Sequence, residues 1–401
     1  MKKSNIRFFK AGIVILIAFS VMVTSVQGAT INYETPTINK LNQKQWTTLF
    51  YLDYDYGNVP FDALEQVFID EISSSESVNV VVIQDTLDKP AFIYYIDENH
   101  NKTVLEELGE VNMADYITLR DFIEYGKQNY PADSYLLWVV NHGGAWKGAC
   151  IDETNNGLAL SMDGFQKALT ESGGVDVICF LACLMASLEA VYELRDVVDV
   201  YVGSEDLAWG SSWDGVSGDI NQLLTDFPDS SNEEVGEEIV NSFVKQANPP
   251  VNKLSISAMK TDKVETLVDA LSVLAKYFVT HWFRSYGKVS KAFEKTFLLA
   301  QLDQWAEVFL VYDLKGFVEN LPETEKTKAV LDAFDEVVIA EAHGEDEVET
   351  QGLSIFIQAR ESPYKLYRTY VNKDTGLDFP VDTWWNEFLF LFILTNRILL
   401  K

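Results

Sequence analysis

The sequence predicts an α/β protein with a mainly parallel central sheet, and three observations support this prediction. Short β-branched and aromatic runs alternate with longer amphipathic stretches between residues 46 and 206, which is the pattern of βαβ units. Most of these runs are continuously apolar, as expected for strands covered on both faces. The chain has 401 residues, of which 47% are hydrophobic, so it is long and apolar enough to bury a large core.

The strands and helices of this segment are predicted from its hydrophobic period. We expect strands at residues 46–52, 78–84, 91–96 (a possible hairpin member), 136–140, 175–181 and 200–203. Helices are expected at residues 61–72, 119–129, 162–172 and 184–197, the third with Ser161 as its N-cap.

The hydrophobic pattern of the sequence changes beyond residue 254. Longer helical patterns are expected there at residues 262–277, 299–321 and 327–343, with a late strand at 353–358 and a docking helix at 388–400. We therefore divide the chain into a linker at residues 29–45, an α/β domain at 46–253 and a mainly helical C-terminal accessory region at 254–401.

The first 28 residues have the layout of a secretory signal peptide. Basic residues precede an apolar run at residues 11–23, and small residues follow it around Gly28. The alternative is an uncleaved anchor, but the run is shorter than the roughly 20 apolar residues that a spanning helix needs. We expect cleavage near Gly28 and a secreted protein that is not held by a membrane after cleavage.

The chain is strongly acidic. Its 31 Lys and Arg residues against 61 Asp and Glu residues give a formal charge of −30, which becomes −34 when the four basic residues of the signal peptide are removed. Such a field repels phosphate backbones, so nucleic acid is not expected as a partner. The three cysteines are too few for a disulfide framework, and their odd number leaves a free thiol.

Two reactive side chains follow predicted strands, where ligands gather in open parallel sheets. His142 follows strand 136–140, and Cys183 follows strand 175–181. The helix predicted at 184–197 would place Cys183 at a helix N-terminus, where the dipole favours a thiolate. Gly143 permits close backbone approach, and its amide is suited to bind an oxyanion together with the Cys183 amide.

Cys183 and His142 also have simpler, non-catalytic interpretations. A cysteine beside an apolar strand is usually buried and inert, which is how we interpret Cys150 and Cys179. A single loop histidine is more often structural than catalytic, but only four histidines exist and this one precedes two glycines. The 41-residue spacing from His142 to Cys183 is similar to that of caspases, whose histidine lies about 50 residues before the cysteine.

The sequence resembles the clostripain-like cysteine peptidases. Residues 141–146, Asn-His-Gly-Gly-Ala-Trp, are similar to the family's His-Gly-Gly-Gly-Trp motif, and residues 180–186, Phe-Leu-Ala-Cys-Leu-Met-Ala, to its Phe-Asp-Ala-Cys-Leu-Met-Ala motif. Further segments match in family order between about Trp46 and Trp385: 110–115, 130–133, 151–154, 203–205 and 352–355. The resemblance implies the caspase-like α/β/α sandwich of the caspase, gingipain and legumain clan, and peptide-bond hydrolysis by a Cys183/His142 dyad.

The substrate pocket departs from the family pattern at Leu181, where an aspartate associated with cleavage after Arg or Lys is usual. Strand parity places Leu181 on the same side as Cys183, so this position supplies no carboxylate to pair with a basic side chain. Two acids after the next strand, Glu205 and Asp206, are candidates to replace the aspartate, with Asp214 close behind. Equally, Trp209 and Trp213 are candidates to shape an apolar pocket.

Two further expectations depend on the resemblance. Some relatives cut themselves in the loop after the histidine, where Lys147 precedes Gly148, so a monomer or a self-nicked two-chain form is expected. No cofactor is required and no metal site is assigned, but calcium activates some relatives. Asp152, Glu153 and the acidic run 345–347 offer oxygen ligands for it, whereas the simpler interpretation is a solvated acidic surface.

The function predicted is therefore an exported cysteine endopeptidase acting on peptides or proteins through an acyl-thioester intermediate. Two alternatives remain open. A catalytically inactive homologue would bind peptides or proteins without cutting them, although both dyad residues are present. An unrelated secreted binding domain would require the dyad match to be accidental, despite the additional matching segments.

Overall fold

A nine-stranded sheet forms the centre of the computed structural model, which describes residues 43–55, 69–208, 215–246, 255–296, 298–299, 311–344, 349–357 and 364–399. The strands of the sheet are β1 (Lys44–Tyr54), β2 (Val78–Thr86), β3 (Lys89–Ile96), β4 (Lys102–Gly109), β5 (Ala132–Val140), β8 (Val175–Leu181), β9 (Val198–Gly203), β10 (Ser255–Lys260) and β12 (Val338–His343). Two small two-stranded sheets pair β6 (Ala149–Asp152) with β7 (Leu158–Leu160), and β11 (Val311–Asp313) with β13 (Ser354–Phe356).

The order across the large sheet is β12-β10-β9-β8-β5-β1-β2-β3-β4. The five central strands from β9 to β2 pair in parallel, so their carboxyl ends lie along one edge. Antiparallel strands flank them on both sides, β3 and β4 at one end and β10 and β12 at the other. The predicted α/β fold class is confirmed, as is the hairpin role of residues 91–96, which lie within β3.

Helices cover both faces of the sheet. They are α1 (Tyr116–Asn129), α2 (Met162–Ser172), α3 (Leu188–Glu193), α4 (Val216–Asp226), α5 (Asn232–Gln246), α6 (Val264–Thr280), α7 (Trp282–Lys295), α8 (Leu314–Glu319), α9 (Glu325–Val337), α10 (Tyr364–Tyr370), α11 (Phe379–Asp382) and α12 (Trp385–Leu399). Ser161 caps α2 as predicted, because its side chain accepts a hydrogen bond from the Gly164 N–H.

Two hydrophobic cores lie on opposite faces of the sheet, because neighbouring strand residues point to opposite faces. In β1, Leu49 and Tyr51 belong to the first core, whereas Phe50 and Leu52 belong to the second. The first core includes side chains from α1, α2, α3, α6 and α12, and the second includes side chains from α4 and α5. The sheet is therefore the middle layer of three.

The C-terminal part of the chain contributes more strands than predicted. Besides β13, which lies within the expected late strand, β10 and β12 join the large sheet, so residue 254 falls within the sheet's sequence. The helix expected at 327–343 ends at Val337, and the next six residues pair with β10 as β12. In the helix expected at 299–321, Val311–Asp313 is a strand and only Leu314–Glu319 is helical among the described residues.

The predicted docking helix is present as α12, whose apolar face is buried from Trp385 to Ile393. Residues Leu41–Lys401 form one compact unit. The predicted signal peptide, most of the linker and most of the helix expected at 61–72 lie outside the described residues. Among the helices that are described, none combines the length and apolar character needed to cross a bilayer.

Candidate active site

The structure brings the two predicted reactive residues to adjacent strand ends. β5 and β8 are parallel neighbours, and their pairing ends with Val140 opposite Leu181. His142 and Cys183 each follow two residues later, so the strand register directs both backbones to the same place on the sheet edge. Neighbouring strands are about 4.8 Å apart in this direction.

Gly143 lies directly against the Cys183 backbone. A Cβ built on Gly143 would be 2.2 Å from the Cys183 carbonyl oxygen and 3.0 Å from the Ala182 Cβ. Only a residue without a side chain allows this approach. The glycine after the histidine is therefore required by packing between the two loops.

Asn141 holds the histidine loop, which we define as residues 141–148. Its side-chain amide donates to the Asp53 carbonyl at 2.8 Å and to the Ile151 carbonyl at 3.3 Å. Its Oδ1 accepts from the Ile151 N–H at 2.9 Å and from the His142 N–H. The loop then pairs Gly143 with Ala149 in an antiparallel bridge. One buried amide thus connects the ends of β1 and β5 with β6.

The geometry of that bridge orients the Gly143 amide. The flanking hydrogen bonds run from the Gly144 N–H to the Gly148 carbonyl at 2.9 Å and from the Cys150 N–H to the His142 carbonyl at 3.2 Å. In such a non-hydrogen-bonded pair, the N–H of the central residue points away from its partner strand. The Gly143 N–H is therefore directed away from Ala149, as an oxyanion donor requires.

Cys183 is not at a helix N-terminus, and this prediction is wrong. Helix α3 begins only at Leu188, with Ser187 as its N-cap. The intervening backbone turns sharply, because Leu184 has a left-handed φ of 64°, and the Ala186 N–H then bonds to the Ser204 carbonyl at 2.8 Å. These contacts with the end of β9 prevent the helix from starting after the cysteine, so its dipole does not act on the thiol.

Burial raises the pKa of the partly buried Cys183 thiol, and the Asp206 carboxylate raises this pKa further. The Ala208 N–H opposes the rise by donating to Sγ at 3.2 Å, while Sγ lies 3.6 Å from the Ala208 carbonyl. Burial lowers the pKa of His142, against the charge of Glu153. Both shifts favour the neutral forms, a thiol at Cys183 and an imidazole at His142.

Leu181 and Cys183 do not share one side of the sheet as predicted. Leu181 packs against the second core with its neighbour Val140, whereas Cys183 packs against the first core. The alternation of β8 ends at Leu181 because the chain leaves the sheet there and turns. Parity therefore cannot be extended across the strand end.

Glu205 does not face the predicted pocket. It is fully buried, and its Oε2 accepts from the Gly352 N–H at 2.8 Å. Burial and the neighbouring Asp313 raise the pKa of Glu205 well above its usual range. Glu205 is therefore held inside the fold, and this burial does not support the expected contact with a basic substrate, which stays a prediction.

Asp206 lies nearer to the nucleophile. Its carboxylate charge contributes to the raised pKa of Cys183. Its Oδ1 accepts from the Leu207 N–H at 2.7 Å, and its carbonyl accepts from the Leu184 N–H at 2.9 Å. Of the two acids after β9, only Asp206 is thus close to the thiol. Trp209, Trp213 and Asp214 lie outside the described residues.

The remaining sequence candidates are readily located. Lys147 is partly buried in a single turn of 3₁₀ helix, with its Nζ 5.7 Å from the centre of the Trp146 ring. Cys150 and Cys179 are fully buried, and burial raises their thiol pKa values well above the usual range. Their interpretation as inert core residues agrees with this burial.

Four carboxylates at the neighbouring strand ends are close enough to hold a metal ion: Asp55, Asp85, Glu110 and Asp152. Of the calcium ligands expected from the sequence, Asp152 belongs to this cluster. Glu153 does not, and residues 345–347 lie outside the described part of the chain.

The Ala208 backbone is the contact to Cys183 that the sequence analysis missed. It contributes through its N–H and carbonyl groups, which every residue carries, so no residue type could have marked it. The role of Asn141 was missed as well, although its side-chain NH₂ makes two of the bonds that organise the loop.

The sequence is similar to known cysteine peptidases. The model of the clostripain family, Peptidase C11, matches residues 64–392. Clostripain from Hathewaya histolytica is 34% identical over 120 residues, which are 25% of this chain and 23% of clostripain. The aligned segment therefore spans less than a quarter of that relative.

Solved structures share the fold over most of the chain. An inactive zymogen C11 protease from Parabacteroides distasonis has a TM-score of 0.66 and 22% identity, covering 85% of this chain and 98% of that one. A secreted C11 cysteine protease from Bacteroides thetaiotaomicron, in complex with an irreversible peptide inhibitor, has a TM-score of 0.61 and 17% identity, covering 83% and 99%. At these identities the likeness concerns the fold.

Proposed function

Because the chain belongs to the clostripain family, we propose that it is a secreted cysteine endopeptidase that uses Cys183 as nucleophile and His142 as general base and acid. The observation that carries the proposal is the convergence of the β5 and β8 ends, with Gly143 against the Cys183 carbonyl. The convergence supports the proposal because His142 and Cys183 follow adjacent strand ends and the Gly143 amide lies between their loops.

The pKa directions determine how the first step proceeds. Because burial raises the pKa of Cys183 and lowers that of His142, the resting pair is a thiol and a neutral imidazole. His142 accepts the thiol proton as Sγ attacks the scissile carbonyl carbon. The Gly143 and Cys183 amides stabilise the oxyanion.

His142 then returns the proton to the leaving amine, and the C–N bond breaks to leave an acyl thioester on Cys183. In the second half-reaction, His142 takes a proton from water, which attacks the thioester and releases the acid and the thiol. The roles are those of other Cys/His hydrolases, and the chemistry requires no cofactor.

The charge of Asp206 supports a preference for a basic side chain in the substrate. Its carboxylate is close enough to raise the pKa of Cys183, so a Lys or Arg of the substrate beside the nucleophile would meet a negative charge. We therefore propose cleavage after basic residues. Asp206 would supply the negative charge that the family has from an aspartate at the position of Leu181.

Export and self-processing are further parts of the proposal. Export is supported by the layout of residues 1–28. Self-cleavage after Lys147 would separate β6 from the histidine, but Lys147 and Gly148 lie in a turn closed by bonds to Gly144 and Ala145. That turn must open before the bond is cut, and sequencing the termini of wild-type and Cys183→Ala protein tests for a new N-terminus at Gly148.

The decisive experiment is digestion of a diverse peptide library with wild type, Cys183→Ala and His142→Ala, with cut sites identified by mass spectrometry. We expect cuts after Lys and Arg that both substitutions remove. Asp206→Asn should weaken basic preference, whereas Glu205→Gln is the matched control because Glu205 faces the fold interior. Cuts that persist in Cys183→Ala would refute the nucleophile, and absence of any cuts would favour the peptide-binding alternative.

A further inference from the structure

Helix α7 carries basic side chains on a strongly acidic protein. Residues 276–295 hold five Lys and Arg residues and one acidic residue, Glu294. In the whole chain the balance is the opposite, with 61 Asp and Glu residues against 31 Lys and Arg residues and a formal charge of −30. The charge of this segment therefore has the opposite sign to that of the protein.

Four exposed basic side chains form what we call the cationic stripe: Arg284, Lys288, Lys291 and Lys295. They are spaced by four, three and four residues, so at about 100° per residue they fall within an arc of about 60° on one side of the helix. The opposite side is buried through Trp282, Val289 and Phe293. Among the described residues, no carboxylate forms an ion pair with any member of the stripe, so its charge is directed to solvent.

Large apolar side chains face solvent beside the stripe. Phe283, at the start of α7, is 101% exposed, so it projects from the surface. Near the end of α12, Ile398 and Leu399 are 65% and 66% exposed. Single exposed apolar residues are common, but large ones grouped beside polar residues indicate an interaction site.

Two hydrogen bonds show that the end of α12 lies beside the start of α7. The Trp282 Nε1–H donates to Thr395 Oγ1 at 2.8 Å, and the Tyr286 hydroxyl donates to Asn396 Oδ1 at 2.7 Å. Residues three or four positions apart lie on the same side of a helix, so the two exposed α12 residues continue along the side of that helix that faces α7. These side chains and the stripe form what we call the docking face: the cationic stripe, Phe283, Ile398 and Leu399.

The docking face combines two properties that suit an anionic phospholipid bilayer. Lys and Arg side chains pair with anionic headgroups, while Phe, Ile and Leu side chains enter the boundary between headgroups and acyl chains. A soluble polyanion would contact the stripe but would leave Phe283 in water. An acidic peptide needs a groove, whereas Phe283 projects from a helix. The bilayer is therefore the partner that uses both parts of the face.

The acidic remainder of the protein does not prevent this contact. At about 0.1 M salt, electrostatic interactions are screened beyond about 10 Å, so the groups nearest the headgroups decide whether the protein binds. The acidic surfaces disfavour the other orientations, because they repel an anionic bilayer at close range. The protein would thus meet such a bilayer through α7.

We propose that the docking face binds anionic phospholipid bilayers reversibly and holds the mature protein at a membrane surface. Each Lys or Arg near such a surface raises the affinity by about fivefold, so the four members of the stripe supply roughly 10²–10³-fold. Partial burial of Phe283 adds about tenfold. This contact needs no spanning helix, so it differs from the anchor considered for residues 11–23.

Binding is measured with vesicles of defined composition. Protein lacking residues 1–28 is used, because the apolar run at 11–23 would itself bind lipid and residues Leu41–Lys401 form one compact unit. The substitution Cys183→Ala prevents self-cleavage. The protein is sedimented at about 0.1 M salt with vesicles of phosphatidylcholine alone or with about 30% phosphatidylglycerol. We expect saturable binding to the anionic vesicles only, which about 1 M salt weakens by at least about tenfold.

Two variants and a matched control locate the contact. Lys288→Gln combined with Lys291→Gln should weaken binding by about 20-fold or more, and Phe283→Ala should weaken it by about tenfold. All three side chains are exposed, so the Tm should stay unchanged in both variants. The control, Lys89→Gln combined with Lys245→Gln, removes the same charge from β3 and from α5, which packs on the opposite face of the sheet from α7. It should bind within about twofold of the parent protein, since neither lysine is near the docking face.

Several results would overturn the proposal. These are no binding to anionic vesicles, equal binding to phosphatidylcholine alone, undiminished binding of the double lysine variant, and an equal loss in the control. Unchanged vesicle binding of Phe283→Ala would refute the bilayer as the partner, and inorganic polyphosphate bound equally well by the parent and by Phe283→Ala would identify a soluble polyanion instead. Since every readout is binding or stability, a failure of the peptidase proposal leaves this test intact.

Discussion

Replacing Gly143 with alanine should separate the two loops of the active site. The new Cβ would lie 2.2 Å from the Cys183 carbonyl oxygen, so the backbones must separate by 0.8 Å merely to reach 3.0 Å. The Cβ is fixed by the backbone of residue 143, and the oxygen belongs to the Cys183 backbone. Neither atom can therefore move without moving the main chain. The Ala182 Cβ and Met185 Cγ, each 3.0 Å away, resist movement in other directions.

The expected loss follows from this displacement. A misplacement of about 1 Å at a catalytic centre costs on the order of 10²-fold in rate, and overpacking destabilises by about 1–3 kcal/mol. We therefore expect Gly143→Ala to remain folded and to lose about 10²-fold in kcat/KM on a fluorogenic peptide, mostly through kcat. Steady-state kinetics and urea unfolding measure the two effects separately.

Gly144→Ala is the matched control. Its Cβ would meet the Lys147 Cβ at 3.6 Å and the Gly148 carbonyl at 3.7 Å, which are ordinary contacts, and its φ of −144° suits any residue. It should retain activity within about threefold of wild type, since small surface changes alter stability by about 0.5 kcal/mol or less. Unchanged kcat/KM in a folded Gly143→Ala protein, or an equal loss in Gly144→Ala, would show that the contact does not position the site.

Three other perturbations have defined outcomes. The alkylation rate of Cys183 should keep rising with pH beyond the ordinary range of a cysteine pKa. Asp206→Asn should move the inflection of this pH profile to lower pH, because the carboxylate contributes to the raised pKa. An unmoved inflection would contradict this role. Glu189, whose pKa burial raises to about 7 from 4.5, keeps its proton to higher pH in the folded than in the unfolded chain. Wild-type stability should therefore fall between pH 4.5 and 7 relative to Glu189→Gln, as measured by urea unfolding at several pH values, and parallel curves would refute the assignment. Asn141→Asp should destabilise by about 1–3 kcal/mol, because its side-chain donors to the Asp53 and Ile151 carbonyls are lost; unchanged urea midpoints would contradict it.

The buried strands could be predicted because their environment is uniform. β8 is covered on both faces, and its apolar run gives the observed bounds, Val175–Leu181, without ambiguity. β4 was missed because it is an edge strand with exposed charged residues, so no hydrophobic pattern marks it. β12 was read as helix because its pattern continues that of α9, and only pairing with β10 makes it a strand.

The site was predictable in residue type but not in side-chain direction. His142 and Cys183 follow adjacent parallel strands, as their position after apolar runs indicated. The side-chain directions of Leu181 and Glu205 and the start of α3 could not be read from the sequence, because each lies where the chain leaves a strand. There the left-handed Leu184 and the inward Glu205 depend on contacts with distant segments, including Gly352.

The antiparallel borders of the sheet affect how copies of this protein meet at high concentration. A parallel strand at a border would offer unpaired amides on an apolar ribbon, a template for growth of larger aggregates. Here β4 stands at one border with the exposed Glu106 and Glu107, and β12 at the other with Glu341 and His343. Two molecules that approach through their β4 borders bring these glutamates together, so like-charge repulsion acts against end-to-end polymerisation.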